Sequence, residues 1–256
     1  MPPSLAMAII LAAGKGTRMK SELPKVLVPV AGRPMVRYVI DALRTAGVQR
    51  IVVVVGYRAD LVRAELADVP GIEFAEQTEQ LGTGHAVMMC RPQLAAHAGP
   101  VVVVAGDSPM LQGDSVATLL QESAARDAAA LLGTVDRENP TGYGRILRNQ
   151  AGEFVGIVEE KDATPEQRAI TEVNVSTYVF DSAELRQSLD QLRADNSQRE
   201  YYITDCPAIL LAAGKTVTAL NVLKPCEALS INNPEELSQV EAVMKSGQQS
   251  TISQPS

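Results

Sequence analysis

Short, almost wholly apolar runs alternate with amphipathic stretches through the first half of the chain. Ala6 to Leu11, Ile51 to Val55 and Val101 to Ala105 are continuous apolar runs, and Gly71 to Ala75 is a shorter one. Runs of that length beside glycine read as buried strands. Between them, apolar positions recur at helical spacing. A helix is expected from Pro34, in its first turn, to Ala46, with Gly47 beyond it; Arg58 to Ala67 and Gly84 to Cys90 are further helices. Strands buried on both faces and linked through helices predict an α/β fold, doubly wound and Rossmann-like, with a mostly parallel sheet. In such sheets ligands bind beyond the carboxyl ends of the strands, so the loops after Leu11 and Ala105 can face one pocket.

The second half is patterned differently. Gly142 to Ile146 and Phe154 to Glu159, separated by Asn149 to Gly152, read as a hairpin, and Val173 to Phe180 and Thr216 to Val222 as strands. Ser182 to Leu192, Tyr202 to Ala213 and Pro234 to Lys245 read as helices. This is a β-rich insertion into the parallel plan. No linker interrupts residues 5–245, so one domain is expected there. The Ser- and Gln-rich tail, 246–256, is expected to be disordered.

The chain has 256 residues, 46% of them hydrophobic, and a net charge of −7. That is globular composition, and the acidic balance argues against nucleic-acid binding. Tryptophan is absent and aromatics make up only 4%, which leaves little for base-stacking platforms. Cys90, Cys206 and Cys226 are odd in number and widely spaced, so neither a disulfide framework nor a zinc site is expected. Free thiols in a reducing cytoplasm are the simpler reading. The N-terminus lacks a basic region and its apolar run leads straight into a glycine loop, so it does not read as a signal peptide, and no run is long enough for a membrane span.

That glycine loop carries the strongest chemical signal. Leu11-Ala12-Ala13-Gly14-Lys15-Gly16-Thr17-Arg18-Met19 is followed by Pro24-Lys25, and the loop holds Lys15, Arg18, Lys20 and Lys25 against one acid, Glu22. Glycines let backbone N–H groups approach an anion, and the cations neutralise it. The dinucleotide fingerprint would need a third glycine where Met19 stands, and a P-loop would need a lysine after its second glycine. The same pentapeptide recurs at Leu211 to Lys215, but it follows a helical run, so Gly214 reads as a helix C-terminal cap.

Asp107 ends a buried strand, where a carboxylate is costly unless it meets a cation; Mg²⁺ ligand and turn aspartate are both open. Asn233 is the better N-cap for the helix from Pro234, which leaves the Asn232 side chain available to the same ion. Gln77 lies between a strand and a helix and can pair its amide with a pyrimidine edge, and Gly82 lets backbone reach a base. His85 reads as a packing or capping residue, and His97 as a surface one.

Taken in order, Leu11 to Met19 with Pro24-Lys25, Gln80-Leu81-Gly82-Thr83-Gly84-His85, Gly106-Asp107, Gly142-Tyr143-Gly144-Arg145, Ile157-Val158-Glu159 with Lys161-Asp162, Glu200 to Asp205, and Asn232-Asn233 resemble one family. It is the uridylyltransferase domain of the bacterial bifunctional N-acetylglucosamine-1-phosphate uridylyltransferases. The resemblance spans roughly Ala6 to Lys245. It implies backbone contacts to the nucleotide from Leu11, Ala12, Ala13 and Gly14, and uracil reading by Gln77, Gly82 and Thr83. It implies triphosphate binding and charge stabilisation by Arg18 and Lys25, Mg²⁺ binding by Asp107 and Asn232, and a sugar pocket lined by Gly144, Glu159 and Asn174. The implied reaction joins UTP and N-acetylglucosamine 1-phosphate by in-line attack, giving UDP-N-acetylglucosamine, a peptidoglycan precursor, and pyrophosphate.

Two departures sit beside site residues. Val175-Ser176 stands where the family usually has Thr-Gly, and Ser230 stands where it usually has Gly. The family's β-helix of hexapeptide repeats is not found in these residues, so acetyl transfer and its trimer are not expected; a monomer or weak dimer is. A nucleotidyltransferase for another sugar 1-phosphate, such as a glucose-1-phosphate thymidylyltransferase, is the nearest alternative. A non-catalytic nucleotide-sugar-binding subunit is an alternative of another class.

Overall fold

The structure is a computed structural model that describes residues 6–16, 19, 21–229 and 231–246. Thr17, Arg18, Lys20, Ser230 and the expected disordered tail after Ser246 lie outside the described residues. In chain order the elements are β1 (Met7–Ala12), β2 (Pro29–Val30), β3 (Arg33–Pro34), α1 (Met35–Thr45), β4 (Arg50–Val55), α2 (Ala59–Glu65), β5 (Ile72–Glu76), α3 (Thr83–Met88), α4 (Arg91–Ala95) and β6 (Pro100–Ala105). The second half follows with α5 (Gly113–Arg126), β7 (Ala130–Asp136), β8 (Gly144–Arg148), β9 (Phe154–Val158), α6 (Pro165–Arg168), β10 (Glu172–Asp181), α7 (Ser182–Leu189), α8 (Cys206–Ala212), β11 (Val217–Asn221) and α9 (Pro234–Lys245).

The main sheet has the order β11-β7-β10-β6-β1-β4-β5. β1 pairs in parallel with β4 and β6, β4 with β5, and β7 with β11, while β10 runs antiparallel to both β6 and β7. The sheet is therefore mostly parallel with one reversed strand. The hairpin β8–β9 attaches through β10. Alternation along β1 divides the core: Ala8, Ile10 and Ala12 face α1 and α5, whereas Met7 and Ile9 face the layer of α3, α4, α7 and α8. Helices on both faces make the fold doubly wound, as expected. Trimming a fully buried residue such as Ile10 to Ala should cost about 2–5 kcal/mol. A third cluster, including Met19, Val30, Met35, Met110, Ile231 and Val240, holds the small β2–β3 hairpin and α9 beside the glycine loop.

Most boundaries fall within a few residues of the sequence reading. Gly214 caps α8 with φ +74°, and its N–H donates to Leu211 O at 2.9 Å. Asn233 caps α9 by accepting from Glu236 N. The expected Tyr202–Ala213 helix divides into a 3₁₀ turn at Ile203–Asp205 and α8, whose first turn carries Pro207. α5 and β7 have no clear sequence signal. α5 buries small polar residues, Ser115 and Ser123, beside Val116 and Leu119, which blurs its apolar stripe. β7 reads Ala-Leu-Leu-Gly-Thr-Val-Asp, in which only Thr and Val are favoured strand formers, and it holds its place through burial. No helix of the described residues is long and apolar enough to cross a membrane.

Candidate active site

The carboxyl ends of β1, β4, β5 and β6 open at one edge of the sheet, and the reversal of β10 brings its start to that edge as well. Gly106 N–H donates to Leu11 O at 2.9 Å, joining the ends of β1 and β6. Tyr57 N–H donates to Ala13 O at 3.0 Å, and Gln77 N–H to Val55 O at 2.8 Å, joining the ends of β1, β4 and β5. The carbonyls of Leu11 and Ala13 are thus committed to neighbouring loops, while Gly14 is exposed. Lys15 caps the Tyr57 ring, its Nζ 5.3 Å from the ring centre.

Lys25 is the centre of the arrangement. Its ammonium forms an ion pair with Asp107 Oδ2 and donates to Asn232 Oδ1 at 2.8 Å. Three residues from distant parts of the chain therefore meet at one point. Gly16 presses on Lys25: a Cβ at Gly16 would lie 2.6 Å from Lys25 Cβ, and its φ is +65°. The glycine loop is thus packed directly against the lysine. Arg18, its expected partner on the triphosphate, lies outside the described residues.

Asp107 and Asn232 share a cleft of about 460 Å³ with Gly144, Glu159 and Asn174. All three expected sugar residues therefore line the same cleft as Asp107 and Asn232. Asn174 is buried and donates through Nδ2 to the Tyr178 hydroxyl at 2.8 Å. Burial pushes the Tyr178 phenol well above its ordinary range, opposed by the Asn174 hydrogen bond, so it stays protonated. Thr204 donates to Glu159 Oε1 at 3.1 Å. Burial raises the Glu159 carboxyl above its ordinary range; the Thr204 bond opposes that, and Asp205 and Asp162 add to it. Arg145, among the most buried side chains, pairs with Glu160 at 2.7 Å and donates to the carbonyls of Tyr143 and Arg168. The Gly-Tyr-Gly-Arg motif thus holds a structural pin next to its cleft-lining glycine.

Gln77, Gly82 and Thr83 gather around the loop between β5 and α3. Tyr201 N–H donates to Leu81 O at 2.8 Å and Gly84 N–H to Tyr201 O at 2.7 Å. Thr83 Oγ1 accepts from Ile203 N at 3.0 Å. The Glu200–Asp205 stretch is therefore a brace for this loop. Gly82 has φ +103°, and a Cβ there would meet Tyr201 O at 2.6 Å, so only glycine fits. Gln77 is buried, and His85 reaches it through Nδ1 at 3.0 Å.

Tyr178 and Thr204 are supporting residues that sequence reasoning did not single out. Thr204 lay inside a quoted motif, whereas nothing in the pattern marks Tyr178 apart from its apolar strand. Cys90, Cys206 and Cys226 are free, as expected, and burial pushes the Cys90 and Cys206 thiols up to about 12. Those thiols are unreactive at neutral pH.

The chain is also similar to known proteins. Residues 8–204 match the model of the MobA-like NTP transferase domain. The bifunctional protein GlmU of Brevibacillus brevis is 46% identical over 238 residues, which cover 93% of this chain and 51% of that protein. GlmU of Pelotomaculum thermopropionicum and of Bacillus subtilis are each 43% identical over 93% of this chain and 52% of their own length. The chain spans about half the length of the curated relatives it matches. With the family model covering most of the chain, from the first strand to the brace at Thr204, the chain belongs to the family of MobA-like NTP transferase domains.

Proposed function

We propose that the chain transfers a uridylyl group from UTP to N-acetylglucosamine 1-phosphate, releasing pyrophosphate. The observation that carries the reading is the meeting of Lys25, Asp107 and Asn232 at the mouth of the cleft that Glu159 and Asn174 line. A cationic point beside a hydroxyl-binding pocket suits a phosphate joined to a sugar. Likeness to the bifunctional GlmU proteins over nearly the whole chain supports the same choice of substrates.

Asp107 and Asn232 are the residues that would hold a divalent ion, and we take it to be Mg²⁺. Both offer oxygen donors, and one cation, the Lys25 ammonium, already reaches both. When bound, the ion supplies positive charge to the phosphate oxygens.

Lys25, with Arg18, neutralises the triphosphate and the charge that grows on the departing pyrophosphate. The exposed Gly14 offers backbone to the nucleotide, while Gln77, Gly82 and Thr83 take the uracil. Glu159 accepts from sugar hydroxyls, and Asn174 and Gly144 line the same pocket. An oxygen of the sugar phosphate attacks the α-phosphorus, and the bond to the β-phosphate oxygen breaks. That oxygen is already ionised, so no protein nucleophile or general base is required. Catalysis is positioning and electrostatics. The free thiols fit a reducing cytoplasm as the site of this reaction.

The test measures pyrophosphate release from UTP, dTTP, CTP and ATP with several sugar 1-phosphates. The highest kcat/KM is expected for UTP with N-acetylglucosamine 1-phosphate. A preference for dTTP would replace this reading with a thymidylyltransferase, and no turnover of any pair would point to a binding subunit.

A further inference from the structure

We propose that His85 is a positioning residue that sets base specificity by fixing the amide of Gln77. The inference rests on the reading of Gln77 as the residue that meets the base.

Gln77 Nε2 lies 3.0 Å from Gly82 O and 3.0 Å from His85 Nδ1. A backbone carbonyl only accepts, so the amide must turn its NH₂ toward Gly82. The same NH₂ carries a second hydrogen, and it meets His85. His85 Nδ1 must therefore keep its lone pair, which makes the ring the neutral tautomer with hydrogen on Nε2. The side chain of Gln77 is buried, yet among the described residues its Oε1 accepts no hydrogen bond. The one group left to a ligand is an acceptor.

That outcome selects among pyrimidines. The Watson–Crick edge of uracil presents N3–H, a donor, whereas cytosine presents a bare N3 lone pair. An amide rotated by half a turn would offer NH₂ outward and accept cytosine. It would also set Oε1 against Gly82 O, which only accepts, and against His85 Nδ1 for as long as the ring keeps its hydrogen on Nε2. Gly82 O already accepts from Ala86 N–H at 3.1 Å, so the carbonyl alone is partly satisfied elsewhere. His85 adds to the cost of rotation, because the ring would have to move its hydrogen from Nε2 to Nδ1 before it could donate to the rotated oxygen. Its own place is fixed, because Gly84 beside it is buried and hydrogen-bonded to Tyr201, whose ring centre is 6.4 Å from that of His85. Thymine shares the N3–H edge, so this device separates UTP from CTP and leaves dTTP to other contacts.

The experiment compares kcat/KM for UTP and CTP, with N-acetylglucosamine 1-phosphate as acceptor, in the wild type, His85→Ala, His85→Asn and Gln77→Ala. His85→Ala is expected to lower the UTP:CTP ratio by roughly tenfold or more, chiefly through KM for UTP, since a buried amide loses its enforced orientation. His85→Asn, which can place an oxygen near the position of Nδ1, is expected to retain most of the ratio. A wild-type ratio in His85→Ala overturns the proposal. If Gln77→Ala collapses the ratio while His85→Ala does not, His85 alone is misassigned; a wild-type ratio in Gln77→Ala overturns the reading of Gln77 itself. Nitrogen-15 NMR of histidine-labelled wild type tests the same point without a variant. An unprotonated Nδ1 is expected for His85, and a hydrogen on Nδ1 at neutral pH overturns the proposal.

Discussion

The two sides of the cleft are built on opposite terms. On the proposed nucleotide side, parallel strands end in glycine loops, and the Lys25 ammonium meets Asp107 and Asn232, which line the cleft. On the sugar side, an antiparallel hairpin and the bulged strand β10 present carboxyls and amides, with Glu159 beside Asp162 and Asp205. The first side is suited to neutralise a polyphosphate. The second would suit uncharged hydroxyls, as the proposed function requires, where an acceptor matters more than net charge. The backbone differs in the same sense. Gly82 holds a left-handed position that no side chain would fit, whereas Ser176 holds one, φ +58°, with a side chain in place. Of these two positions, the first follows the rule that glycine takes such backbone, and the second carries local strain beside Asn174.

The comparison is broken most decisively at the charged centre. Asp107→Ala and Lys25→Ala are each expected to lower kcat/KM by roughly 100- to 1,000-fold, the usual cost of removing a group that stabilises developing charge. Their circular-dichroism spectra and melting temperatures should stay close to wild type, because both side chains are part-exposed. Near-normal turnover by purified Asp107→Ala would remove the charged centre from the reaction. Asn232→Ala should follow the same pattern.

Gly82→Ala comes next. The added Cβ meets the Tyr201 carbonyl and the left-handed backbone together. The loop should shift away from its brace, at a cost of about 1–3 kcal/mol in stability. KM for UTP should rise while KM for the sugar phosphate stays nearly constant. An equal rise in both would mean that the two sides of the cleft are not independent.

The same contrast explains what was legible in the sequence. The parallel core was readable because β1, β4 and β6 are unbroken apolar runs that end in glycine loops. The candidate site residues stand out in the sequence because most of them sit in short motifs at strand ends. What escaped was fixed by tertiary contact. β7 depends on Leu119 and Leu223 packing over Gly133, and α5 on the buried contact of Ser115 Oγ with Glu227 at 2.6 Å. Neither contact leaves a local periodicity. The Tyr178 hydroxyl beneath Asn174 and the Nδ1 contact of His85 with Gln77 were hidden for the same reason, since each depends on where a side chain points rather than on its spacing. Replacement of the usual glycine at position 176 was visible as a departure, and its conformation gives that departure a physical meaning.

A smaller effect separates binding from stability at Glu159. Its carboxyl is raised by burial, so the folded state holds that proton more tightly than the unfolded chain does. The resulting stability is present in acid and is lost as pH rises through the raised value. Glu159→Gln removes the ionisation and should melt at a higher temperature than wild type at neutral pH. The difference should vanish once the pH falls below the ordinary carboxylate range. Activity should move the other way, with kcat/KM for N-acetylglucosamine 1-phosphate about 10- to 100-fold lower, because a charged acceptor is worth more to a sugar hydroxyl than an amide. A melting gain that persists undiminished in acid would mean that burial of charge is not its source.

The smallest expected effect is at Ser176. The residue lies in the bulge where the pairing of β10 with β7 shifts between Asn174 and Thr177. Its N–H donates to Asn174 Oδ1 at 3.3 Å, so the bulge helps to hold the amide that faces the cleft. A left-handed backbone costs an ordinary residue about 1–2 kcal/mol. Ser176→Gly removes that strain but gives the unfolded chain more freedom, which returns roughly 0.5–1 kcal/mol. The net gain should be about 0.5–1 kcal/mol, the difference between those two terms. A chemical-denaturation series should show a higher midpoint with an unchanged slope. Asn174 keeps its bond to Tyr178 in the variant, so kcat/KM for N-acetylglucosamine 1-phosphate should stay within about twofold of wild type. If the variant is stabilised but loses activity well beyond twofold, the Ser176 hydroxyl is itself part of sugar recognition. The strain at this position would then be retained for specificity, and the sugar side would be as closely fitted to its ligand as the nucleotide side.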